Sequence, residues 1–295
     1  MGGSDPARFD RILLATDLSA RGDRALDRAV QLAAQWQAKL LVVHVAQRGR
    51  DAVRFAPDEL EAVRRRVERE LHGAVAATDI RVEEGDPADV VLDVAARERC
   101  DLVVLGDARE APAHLLEAST VDALVRRSPG SVLVVRQRPR GAYRRVLVST
   151  DLTPESMHGL ETAAALFPQA AFTLLHALDI PYESLWLDDS RRGDLVRMEM
   201  ATIEAFADGA RLPPGLRGDL QLEVEHGHPE AMLRERALER DDELTVIGAF
   251  RRGLAFHLLL GGTTGRIVRA VPTDVLVVRA PPAPGGRGAS ERGDA

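Results

Sequence analysis

"RILLATDLSARGDRALDRAVQLAA", residues Arg11–Ala34, is written a second time as "RVLVSTDLTPESMHGLETAAAL", residues Arg145–Leu166. In each, an aliphatic run of strand type stops at Thr-Asp and a helical pattern follows. Leu26, Val30 and Ala33 carry the spacing of a helix with one apolar stripe. A strand, a sharp turn and a helix make one βα unit. Its return in the second half means that the chain builds the same fold twice.

Outward from this unit, the other segments return in the same order. "LLVVHVA" around His44 matches "FTLLHAL" around His176, and "SPGSVLVVR" matches "VPTDVLVVR". Between them "VEEGDPADVVLDVAARERCDLVVLG" matches "VEHGHPEAMLRERALERDDELTVIG". Collinear matches of this kind are a tandem duplication, with drift in the loops and second helix and a boundary near Pro139–Ala142. We expect one domain over 1–140, another over 141–280, and a disordered Pro/Gly-rich tail over 281–295.

The first copy reads as strands at Ile12–Ala15, Leu40–Val45, Ile80–Val82, Leu102–Leu105 and Val132–Val135. Helical patterns fall between them at Asp23–Gln37, Pro57–Ala76, Asp86–Arg99 and Ser119–Arg127. Val- and Leu-rich runs without polar alternation are strands buried on both faces. Strands alternating with helices through right-handed crossovers give a doubly wound parallel sheet. The expected fold class is α/β: two flavodoxin-like, five-stranded parallel-sheet domains in tandem. Ligands of such sheets sit beyond the carboxyl ends of the strands, where strand order reverses.

Composition narrows the function classes. The 295 residues carry 29% charged and 45% apolar side chains and a net charge of -7. Nothing in that balance points to nucleic acid or an acidic membrane. Lys39 is the only lysine, an arginine bias that fits a GC-rich bacterial genome. Cys100 is the only cysteine, so no intramolecular disulfide or cysteine-based zinc site can form within the sequence. No apolar run has membrane-helix length, and "MGGSDPARFD" has no signal-peptide core, so the expected location is cytoplasmic.

"GAFRRGLAFHLLLGGTTGRIV", Gly248–Val268, has the outline of a phosphate-binding loop: a glycine after a strand, then Gly-Gly-Thr-Thr opening a helix. Glycines let backbone N–H groups approach an anion, and the helix start adds free donors and a favourable dipole. Arg251 and Arg252 stand where a tight turn would favour glycine. The arginine either strains the loop or forks onto phosphate oxygens in place of lost backbone donors. Asp17 and Asp151 end buried strands at the expected ligand edge, and both also read as carboxylates capping the next helix. His44 and His176 fit a structural or rim role, and His226 and His228 fit turn chemistry before the helix starting at Pro229. No metal site is expected, and G-x-S-x-G, H-E-x-x-H and Walker-type loops do not occur.

The ordered set resembles the universal stress protein family in its tandem two-domain form, with adenine nucleotide alpha hydrolase-like domains. The marks are Thr16-Asp17 and Thr150-Asp151, the second-strand histidines, Gly-Asp-Pro or Gly-His-Pro before the third helix, and the closing Val-Leu-Val-Val strands. The resemblance runs from about Arg11 to Arg279. It implies a G-x2-G-x9-G-[S/T] phosphate loop after the fourth strand. The first-strand Asp and the residue after the second-strand His would hold the nucleoside end. In the second copy this falls on Thr150, Asp151, Ala177, Ile247, Gly248, Arg251, Gly261, Gly262, Thr263 and Thr264. Arg251 replaces the second glycine, and Gly262 takes the hydroxyl position. In the first copy it falls on Asp17, Gly106 and Ser119, with Arg109 and Ala118 in glycine positions. The implied ligand is ATP or another adenine nucleotide, with Mg2+ only alongside it, and the second copy is the better cradle.

The resemblance implies a non-catalytic stress-response regulator. A nucleotide-free interaction scaffold, with Tyr182, Leu185 and Trp186 as contact loop, and a slow ATPase are the rival readings. The two aliphatic last strands would each be a hazardous bare edge, and their meeting in an intrachain pseudo-dimer would cover both.

Overall fold

Each aliphatic run forms a strand, and each helical pattern packs beside it. The computed structural model describes residues 8–19, 22–46, 57–71, 78–107, 120–178, 189–249 and 263–280. The first half runs β1 (Arg11–Thr16), α1 (Asp23–Trp36), β2 (Lys39–Ala46), α2 (Pro57–Leu71), β3 (Thr78–Glu84), α3 (Pro87–Arg97), β4 (Leu102–Gly106), α4 (Thr120–Arg127) and β5 (Ser131–Val135). The second runs β6 (Arg145–Thr150), α5 (Pro154–Leu166), β7 (Ala171–Leu178), α6 (Asp189–Gly209), α7 (Pro214–Asp219), β8 (Gln221–His226), α8 (Pro229–Glu239), β9 (Leu244–Ala249), α9 (Thr263–Ala270) and β10 (Asp274–Arg279). The third strand is longer than its apolar centre because its flanking polar residues pair in full with β2.

Local chemistry sets the boundaries. Asp86 caps α3 by accepting from the Asp89 amide at 3.0 Å, with Pro87 in the first turn. Thr153 caps α5 in the same way through the Ser156 amide, ahead of Pro154. Gly85 and its counterpart Gly227 turn the chain into α3 and α8 at φ of 147° and 139°, where a side chain would be strained.

All ten described strands join one sheet in the order β3-β2-β1-β4-β5-β10-β9-β6-β7-β8. Pairing is parallel within each half, and β5 meets β10 antiparallel. Each half is therefore doubly wound. Its reversal of strand order lies between β1 and β4, or between β6 and β9.

Two aliphatic layers, one on each face, run through both halves. On one face α1 and α5 meet through Phe9, Trp36, Phe167 and Tyr143, with successive ring centroids 5.8, 5.7 and 5.3 Å apart. The Trp36 indole N–H crosses the boundary to donate to the Leu166 carbonyl at 3.2 Å.

The Tyr182–Trp186 loop and the 281–295 tail lie outside the described residues. No described helix is long and apolar enough to cross a membrane.

Candidate functional site

The reversal point of the second half is built from the ends of β6, β7 and β9. Register sets Thr150 beside His176 and Ser149 beside Ile247, so Asp151, Ala177 and Gly248 lie at the same sheet edge. Ile247 is buried and Ala177 half-buried. Thr150 is buried, and its Oγ1 accepts from the Leu152 amide at 2.9 Å and shares a hydrogen bond with Ser156 Oγ. Asp151 is exposed. Its Oδ1 accepts from the Thr153 amide at 3.2 Å and from Thr153 Oγ1 at 2.5 Å, while Oδ2 has no donor among the described residues.

The first half repeats this turn. Thr16 Oγ1 accepts from the Leu18 amide at 3.1 Å, and Asp17 Oδ1 accepts from Ser19 N and Oγ at 3.0 and 2.7 Å. Leu18 and Leu152 both take left-handed φ, 56° and 61°, a cost of ~1–2 kcal/mol each for a side chain of this kind. His44 and His176 donate from Nδ1 to the Thr16 and Thr150 carbonyls, both at 2.9 Å, and so brace the ends of β1 and β6.

Gly248 has a second reason to be glycine. A Cβ there would stand 2.2 Å from the Glu155 carbonyl oxygen and 2.7 Å from Ser156 Cα. The first turn of α5 thus rests directly on β9, and Gly159 faces Gly248 from the next turn. Glu155, in that first turn, keeps Oε2 buried with no hydrogen-bond partner among the described residues. Thr263 and Thr264 open α9, whose first turn holds no acidic residue. The corresponding turn of α4 holds Asp122. Gly106 ends β4 opposite Val135. Arg251, Gly261, Gly262 and Ser119, with Arg109 and Ala118, lie outside the described residues. Among the described residues no cluster of His, Cys, Asp or Glu is arranged to hold a metal ion.

Sequence reasoning missed a buried polar network where the halves meet. Asp274 is 0% exposed. Its Oδ1 accepts from the Arg136 and Gln137 amides at 2.7 and 2.8 Å, and its Oδ2 from Tyr143 OH at 2.6 Å. Arg28, itself buried, lies 3.6 Å from Oδ2 and stacks 3.9 Å above the Tyr143 ring. Burial raises the Asp274 carboxyl, against the pull of those donors and of Arg28. Burial also lifts Tyr143, and the Asp274 charge adds to it. The available signal was a carboxylate in "TDVLVV" where the first copy has the hydroxyl of "GSVLVV".

Arg136 and Arg279, equivalent residues at the ends of β5 and β10, reach across the junction to the Val268 and Val125 carbonyls. Arg136 also pairs with Asp107, just past β4, at 2.7 Å.

Comparison with known proteins agrees with this architecture. The universal stress protein family model matches twice, over residues 8–136 and 142–279. A universal stress protein of Mycolicibacterium smegmatis is 26% identical over 91% of this chain and 96% of its own length. One from Thermus aquaticus is 35% identical over 43% of this chain and 99% of its own length. The crystal structure of a universal stress protein from Archaeoglobus fulgidus, 17% identical, covers 92% of this chain and 98% of its own, with a TM-score of 0.64. Two matched repeats, one continuous sheet and a family match over nearly the whole described sequence lead to one conclusion: this chain belongs to the universal stress protein family.

Proposed function

We propose that this protein is a cytoplasmic, non-catalytic stress-response regulator that binds ATP or another adenine nucleotide in its second half. Asp151 Oδ2 would accept from a ribose hydroxyl, and the backbone at Ala177 would flank the base. Gly248, Gly261, Gly262, Thr263 and Thr264 would lie along the phosphates, with Mg2+ entering only with the nucleotide. The chain would then stand for a pair of single modules, joined through β5 and β10.

The observation that carries this reading is the contrast between the two fourth helices. The first turn of α4 presents Asp122, whereas α9 presents no acid, so an anion is favoured at α9 by roughly 0.3–1 kcal/mol of helix-dipole interaction. The unpartnered Glu155 Oε2 adds an acceptor that a ligand hydroxyl or a metal-bound water would satisfy. The nucleotide-free scaffold is favoured by Gly248, which the packing of α5 accounts for without any phosphate.

Thermal melting with ATP, ADP, AMP and cyclic AMP, with and without magnesium, separates these readings. Ligand at 1,000 times its Kd adds about 4 kcal/mol of stability. A Tm unmoved by every nucleotide would leave the scaffold standing, and steady phosphate release would establish an enzyme. Arg251→Gly should strengthen binding if the arginine obstructs the loop and weaken it if the guanidinium holds phosphate.

A further inference from the structure

Two cavities flank the β5–β10 pair, and they occupy equivalent places in the two repeats. One, about 480 Å³, is lined by Arg99, Asp101, Gly130, His158, Thr162 and Arg279 among others. The other, about 550 Å³, has Asp241, Glu243, Thr273, Arg24, Arg28 and Arg136 in the matching positions, together with linker residues. The fold thus accepts His158 and Thr162 in one cavity where the other has Arg24 and Arg28.

The second cavity draws seven arginines together in a protein of net charge -7. Carboxylates account for four of them. Arg28 faces Asp274, Arg136 pairs with Asp107, Arg144 with Glu243 at 3.4 Å, and Arg145 lies 3.9 Å from Asp241. Arg24, Arg138 and Arg140 are exposed at the cavity and face no carboxylate among the described residues. Among the described residues Arg24 donates only to the Arg136 carbonyl oxygen, at 2.6 Å. Clustered like charges repel, and packing does not require these three to be basic.

We propose that this arginine-lined cavity, formed by α1, the 137–144 linker and the starts of β6 and β10, binds a small molecule carrying a diphosphate group. Three uncompensated guanidinium groups match a diphosphate in charge and in their forked hydrogen-bond geometry. The volume suits a small ligand and not a long strand, and the acidic balance of the remaining surface repels an extended polyanion. The cavity lies at the amino ends of β6, β9 and β10, at the opposite end of those strands from Asp151 and Gly248, and so is separate from the nucleotide edge proposed above.

The test is calorimetric titration of the full chain with inorganic pyrophosphate, at about 50 and about 300 mM salt, since screening is stronger in the second condition. Saturable binding should weaken at high salt. It should fall by about tenfold or more in Arg138→Gln/Arg140→Gln, because charged hydrogen bonds are lost. It should persist in Arg251→Gly, which alters only the nucleotide loop. Arg24→Gln is a second exposed change with the same expected loss, and melting curves confirm that each variant is folded. The proposal is overturned by absence of binding, by unchanged affinity in the linker and Arg24 variants, or by loss confined to Arg251→Gly. Tighter binding of a single-stranded oligonucleotide than of pyrophosphate would overturn it too.

Discussion

Leu133 lies directly opposite Leu276 across the β5–β10 ladder, and each is the other's counterpart in the repeat. Val132 faces Val277 and Val134 faces Val275, so the register is symmetric about that leucine pair. A local twofold axis passes there, and the edges of both half-sheets close on each other.

Separating the halves should expose that edge. Residues 1–140 expressed alone should dimerise or precipitate, because β5 would end the sheet as a bare aliphatic strand. Sedimentation of the isolated half is the check, and a well-behaved monomer would contradict the expectation.

Gly248→Ala should destabilise the second half by about 1–3 kcal/mol through overpacking against the Glu155 carbonyl. Urea unfolding without nucleotide should show the full loss. A variant as stable as the parent would show that α5 does not rest on β9 as described.

Asp274→Ala should cost about 3–5 kcal/mol, since it leaves Arg28 charged and buried without its partner. Arg28→Met/Asp274→Asn should recover much of that loss, because no lone charge remains buried. A double-mutant cycle read by urea unfolding gives the coupling.

Burial pushes the Cys100 thiol up to about 11 from 9.0, and the charges of Glu98 and Asp101 add to the effect. At pH 8 the native thiolate should therefore be about a hundredfold scarcer than in the unfolded chain, and disulfide reagents should react correspondingly slowly. The buried neutral thiol contributes its full stability below pH 9.0 and loses it as pH climbs through about 11. Thiol titration with and without urea, and unfolding curves across that window, test both statements. Rapid native reaction at pH 8 would refute the first.

The fold was legible because a duplicated sequence repeats its own punctuation. Thr-Asp, the strand-two histidine and the Gly-x-Pro turn each recur, and each proves to be a local device whose hydrogen bonds stay within a few residues or one strand pairing. What stayed hidden depends on approach between distant backbones. Gly248 reads as a phosphate-loop glycine because a sequence cannot show α5 lying against β9. The Arg28–Asp274 contact needs the β5–β10 register to bring the two halves together, and no spacing rule encodes that register. The Thr-Asp carboxylates do not cap the next helix as expected: Thr153 caps α5 and Gly22 precedes α1 without a side-chain cap, while Asp17 and Asp151 each hold the intervening turn through Oδ1.

Ser131 and Asp274 hold matching places on either side of the axis, and each accepts the amide of the other half's terminal arginine. Two identical polypeptides could not differ there. A carboxylate would enter both places at once, and each would require its own buried cation and phenol. Fusion of the copies into one polypeptide releases them from that obligation. One side is left with a neutral hydroxyl, while the other acquires a single ionic clasp.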